Sequence, residues 1–128
     1  MNPDFVFVNT NGIRLRVAQS GSGPLIVLVH GWPESWYSWR HQIPALAAAG
    51  YRVAAVDVRG YGGSDKPDAI EAYAIKEMCA DIAGVVESLG EKQAILPSFG
   101  RFTGRIALRN QKTDKIFAVV QNKIMAIA

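Results

Sequence analysis

Residues 25–65 read LIVLVHGWPESWYSWRHQIPALAAAGYRVAAVDVRGYGGSD, and their punctuation sets the fold. Leu25 to His30 is apolar until its last residue and without alternation, the pattern of a strand buried on both faces of a parallel sheet. His30-Gly31-Trp32-Pro33 ends that strand, because glycine and proline mark tight loops. From Trp36 to Ala49 the residues Trp36, Trp39, Ile43, Leu46 and Ala47 recur at helical spacing, and Gly50 stands where a helix C-cap belongs. Val53-Ala54-Ala55-Val56 reads as a second buried strand, closed by Asp57. Strand, loop, helix and strand make one βαβ unit, so the expected class is α/β.

Upstream, Phe5–Asn9 and Ile13–Ala18 are two short strands joined by Asn9-Thr10-Asn11-Gly12, in which Asn-Gly tolerates positive φ and signals a hairpin. Ile13-Arg14-Leu15-Arg16-Val17 alternates apolar and basic residues, as at a sheet edge with one wet face. Downstream, Asp68-Ala69-Ile70-Glu71 has capping-box spacing, which predicts a helix running from there to Leu89 and closed by Gly90. Along it Ile75, Met78, Cys79, Ile82, Val86 and Leu89 share one face, so Cys79 is expected as a core thiol. Gln93–Leu96 is a short buried strand, Phe102–Asn110 a candidate helix, and Ile116–Val120 a sixth strand. Ile124–Ala128 is apolar with no evident partner.

The 128 residues suit one domain, 49 % hydrophobic and 20 % charged. The net charge of +3 is concentrated after Gly100, where Arg101, Arg105, Arg109, Lys112, Lys115 and Lys123 face only Asp114. With only Phe102 and Phe117 interleaved, that segment reads as a solvated face and not as a nucleic-acid surface. One cysteine rules out an intramolecular disulfide and any cysteine-based zinc cluster. The N-terminus lacks the basic and apolar regions of a signal peptide, and no apolar run reaches membrane-spanning length. The expectation is a cytoplasmic protein with no membrane or nucleic-acid partner.

HGWPESWYSWRHQ followed by DVRGYGGSDKP resembles the N-terminal half of α/β-hydrolases of the epoxide hydrolase type, with haloalkane dehalogenases as near relatives. The likeness runs from about Phe5 to Leu96, leaving 97–128 as a divergent tail. It implies a partial α/β-hydrolase fold, a mostly parallel sheet of about six strands flanked by helices, in one truncated domain. It also implies a small-molecule substrate and no cofactor. The parent reaction opens an epoxide through an ester on an aspartate, which water then hydrolyses. In such enzymes a backbone N–H after the first buried strand supplies half of the oxyanion hole. By resemblance that loop is His30-Gly31-Trp32-Pro33, the donor is Trp32 N–H, and Trp32–Pro33 is cis.

His30 is better read as packing or hydrogen-bonding locally to hold the loop than as a base, and His41 as a solvated helix residue. Asp57, Arg59, Gly60 and Ser64 form a structural motif, with Asp57 as a buried carboxylate pinning the Gly-rich loop. With no second carboxylate or histidine nearby, no metal is expected there.

The nucleophile elbow of the epoxide hydrolase pattern is Gly-x-Asp-Trp-Gly, directly after a strand equivalent to Ala94–Leu96. This chain reads Ile95-Leu96-Pro97-Ser98-Phe99-Gly100-Arg101, with no aspartate between Asp81 and Asp114. Ungapped, Gly100 takes the nucleophile position. With two residues deleted Ser98 takes it, but Leu96 then replaces the leading glycine. Both histidines precede the elbow, whereas the family order is nucleophile, acid, histidine. The expected chain is an epoxide hydrolase-like remnant without catalysis of its own. The alternatives are a serine esterase-like hydrolase using Ser98 and one half of a split hydrolase completed by a partner. An unpaired sheet edge near Ile116–Val120 would then offer a site for self-association.

Overall fold

A computed structural model describes residues 2–91, 94–97, 117–120 and 123–126. Asp4–Thr10 (β1) and Ile13–Ser20 (β2) pair antiparallel, and Thr10 faces Ile13 across Asn11 and Gly12 at φ 51° and 74°. Both turn residues are left-handed, the geometry whose twist matches the hairpin. Leu25–Val29 (β3), Arg52–Val56 (β4), Ile95–Pro97 (β5) and Phe117–Val120 (β6) follow, and Lys123–Ala126 (β7) ends the described chain. The sheet order is β1-β2-β4-β3-β5-β6-β7. Strands β4, β3, β5 and β6 run parallel, while β1, β2 and β7 are antiparallel to their neighbours.

Period-two geometry sends alternate residues of β3 and β4 to opposite faces. Leu25, Val27, Ala54 and Val56 pack with Leu15 and Val17 beneath Ile82, Val85 and Val86 of the helix Ile75–Ser88 (α2). Ile26, Leu28, Val53 and Ala55 pack on the other face against Trp39 and Ile43, the latter from the helix Gln42–Ala48 (α1). Apolar burial on both sides explains why neither strand alternates in sequence.

The structure departs from the sequence-based expectations at four places. The helix expected over 36–49 is a 3-10 turn at Trp36–Trp39 followed by α1. Pro44 has no N–H for a bond to Arg40 and its ring would meet that carbonyl, so it is accommodated only in a helix's first turn. Asp68 caps nothing: a 3-10 turn spans Ile70–Tyr73, Ala74 turns extended with ψ 144°, and α2 begins behind it without a side-chain cap. Third, β2 is not an edge strand, since β4 covers its other side. Fourth, the free edge lies one strand further out, because a seventh strand extends the expected sheet of about six. Lys123–Ala126 pairs antiparallel with β6, and β7, not β6, is the edge. The candidate helix Phe102–Asn110 lies outside the described residues.

Candidate functional site

The connections from β3 to β4 and from β4 to β5 cross opposite faces of the sheet, carrying α1 and α2 respectively. Chain direction therefore reverses between β3 and β5, and the crevice beyond the C-terminal ends of such strands is where open α/β sheets bind ligands. The loop His30–Pro33 leaves β3 at this place. β5 ends beside it at Pro97, so the next residue in sequence, Ser98, follows the neighbouring strand; Ser98, Phe99 and Gly100 themselves lie outside the described residues.

His30 is 7 % exposed, and both ring nitrogens are engaged. Val58 N–H donates to Nε2 at 3.0 Å, and Nδ1 lies 2.8 Å from Gly31 O. Tyr61 packs edge-on against the ring, with centroids 5.3 Å apart. The ring thus ties the loop after β3 to the loop after β4. Gly31 is fixed further by Glu34: its N–H donates to Glu34 Oε2 at 3.0 Å, and its carbonyl accepts Glu34 N–H at 3.1 Å. Trp32 N–H, on the opposite side of the same planar peptide, has no acceptor among the described residues. The Trp32 side chain is 81 % exposed and the Trp32–Pro33 bond is cis.

Asp57 is fully buried at the end of β4 and its carboxylate is saturated with donors. Arg16 approaches Oδ2 at 2.8 Å through both Nε and an Nη; Gly63 N–H donates to Oδ2 at 2.9 Å and Trp36 N–H to Oδ1 at 2.8 Å. One carboxylate therefore pins β2, the Gly-rich loop and the start of the 3-10 turn. A Cβ on Gly62, where φ is 52°, would overlap that carboxylate. Ser64 Oγ donates to Asp57 O at 2.6 Å and accepts Arg16 N–H at 2.8 Å, and Gly60 N–H donates to Asp65 O. These bonds give Asp57, Gly60 and Ser64 structural places in the loop.

Arg59 belongs to a different cluster. It forks onto Asp81 of α2, Nε to Oδ2 at 2.6 Å and an Nη to Oδ1 at 2.7 Å, and donates a third bond to Ala72 O. Both side chains are almost wholly buried, and the hydrogen bond to Asp81 raises the Arg59 pKa above its usual value against the cost of burial. The partners Arg16 and Asp81 are what the sequence reading missed. An aspartate on the apolar face of a helix was the available signal for the second, since such a charge is buried only with a partner.

Beside the pair lies an almost wholly apolar cavity of about 90 Å³, lined among others by Val29, Val58, Ile75, Met78 and Cys79. Burial pushes the Cys79 thiol up from its usual value. His41 is exposed at the start of α1. Among the described residues no three of His, Cys, Asp and Glu converge as metal ligands, and no helix is long and apolar enough to cross a membrane.

Comparison with known proteins matches residues 24–99 to the model of the alpha/beta hydrolase fold family. Epoxide hydrolase A of Mycobacterium tuberculosis is 46 % identical over 125 residues, covering 94 % of this chain and 38 % of that protein. That match leaves out less of the chain than lies after Leu96, so it extends into the tail. Epoxide hydrolase B of the same organism is 57 % identical over 93 residues, or 70 % of this chain and 26 % of that one. Among solved structures, an epoxide hydrolase from an endophytic Streptomyces superposes with a TM-score of 0.73 at 55 % identity, over 75 % of this chain and 29 % of that one. The chain thus spans between a quarter and two fifths of the length of the curated relatives named here.

Proposed function

Because this chain belongs to the α/β-hydrolase fold family and is of the epoxide hydrolase type, we propose that its His30–Pro33 loop is the oxyanion side of a hydrolase site for a small-molecule substrate. The observation that carries this reading is Trp32 N–H, which has no acceptor among the described residues at the point where strand order reverses. A donor fixed in advance is what stabilises an oxygen as it becomes negative.

The covalent machinery is the other half of the reading. These 128 residues hold no aspartate between Asp81 and Asp114 and no histidine after His41. His30 has both nitrogens committed to the backbone and is unsuited to relay protons. The chain by itself is therefore proposed to retain the frame of an epoxide hydrolase and to lack its chemistry. Ser98, which follows β5 in sequence, is the residue by which the serine esterase-like reading stands or falls.

Peptide mapping by mass spectrometry after incubation with p-nitrophenyl acetate separates the two. The expected result is no acetyl group on Ser98 beyond that on a denatured control. Stoichiometric acetylation of Ser98 in the folded chain alone would replace the remnant with an acyl-transferring hydrolase.

A further inference from the structure

We propose that His30 is a positioning residue: its neutral, Nδ1-protonated tautomer sets the direction of Trp32 N–H, and protonation of the ring releases the loop. The proposal deepens the oxyanion reading and rests on it for its functional meaning.

The tautomer follows from the contacts. A backbone amide only donates, so the 3.0 Å bond from Val58 N–H makes Nε2 the acceptor. The proton of the neutral ring then sits on Nδ1, and the 2.8 Å contact to Gly31 O is a bond donated by the ring. The Gly31–Trp32 peptide is planar and trans, so anchoring its carbonyl to His30 and Glu34 on one side aims Trp32 N–H to the other.

Protonation gives the ring a second N–H and leaves two donors, Nε2–H and Val58 N–H, pointing at each other 3.0 Å apart. The bond between the two loops is lost. Histidine is the side chain whose ordinary charge change falls between about pH 5 and 8. Tyr61 packs against the ring and Glu34 holds the same loop, while Asp57 and Arg59, on either side of Val58 in sequence, are each held in an ion pair, with Arg16 and with Asp81.

The test is ¹⁵N NMR of the full chain between about pH 5 and 8, with His30→Gln and Glu34→Gln alongside. The expected result is an Nδ1–H tautomer at neutral pH, with the Val58 and Trp32 amide resonances moving together as His30 titrates. In His30→Gln the side-chain carbonyl takes the place of Nε2 and those amides stay still; in Glu34→Gln they still move. An Nε2–H tautomer, or Val58 and Trp32 amides that ignore the His30 titration, overturns the proposal. If His30→Gln fails to fold, the parent's tautomer and titration decide. No substrate is present, so these readouts do not depend on whether Trp32 N–H has a catalytic role, and failure of the oxyanion reading leaves them unchanged.

Discussion

Asp57 and Arg59 stand two residues apart and serve different partners, Arg16 of β2 and Asp81 of α2. Removing one member of a buried pair leaves an uncompensated charge, so Asp81→Ala is expected to cost about 3–5 kcal/mol. The cost reads as a lower urea midpoint at an unchanged slope. Replacing both, Arg59→Met with Asp81→Leu, should cost less than either single change. A midpoint for Asp81→Ala equal to the parent's contradicts the assignment. Gly62→Ala places a methyl group against the Asp57 carboxylate at positive φ and is expected to destabilise by at least ~1–2 kcal/mol. At this scale the sequence was legible where chemistry is local. Asp57 as a buried, loop-pinning carboxylate and His30 as a loop-holder could be read from position alone. Their partners could not, because Arg16 and Asp57 meet only through the β2–β4 register, 41 residues apart.

The central strands were legible because burial on both faces leaves an unbroken apolar run. Leu28, fully buried with Trp39 and Ile43, should cost about 2–5 kcal/mol when cut to alanine. The helices were legible in their apolar faces and misjudged at their starts. Pro44 decides where α1 begins. The stretch before α2 is set by tertiary bonds from Arg59 to Ala72 O and from Tyr73 Oη to Pro67 O, which no capping pattern records. On α2, the raised pKa of the half-buried Cys79 keeps its thiol neutral in the folded chain. A thiol that ionises more easily unfolded than folded contributes stability present below its unfolded value and lost as pH rises through the folded one. Melting temperature should therefore fall above about pH 9 in the parent and less so in Cys79→Ala. Equal alkaline losses in both would contradict the burial of this thiol.

Across the whole molecule, β1 and β7 are the two edges of the described sheet. An edge strand offers unpaired backbone groups to another chain. Light scattering across a concentration series is expected to show self-association that weakens in Ile124→Pro, since the register turns Met125 N–H towards β6 and Ile124 N–H to the open edge. A concentration-independent monomer mass contradicts that expectation. The family was legible because two motifs, His30–Gln42 and Asp57–Pro67, occur in order on the same βαβ frame. What the chain does chemically was less legible, because activity depends on the few residues after β5, where the sequence departs from the family pattern. We propose that the His30–Pro33 loop is the oxyanion side of a site for which these 128 residues supply no nucleophilic aspartate after β5 and no histidine base. Turnover of styrene oxide and p-nitrophenyl acetate by the purified, monodisperse chain, with Ser98→Ala alongside, tests this most directly. No rate above buffer is expected with either substrate. Sustained turnover of either one contradicts it, and ester turnover abolished by Ser98→Ala would name the nucleophile.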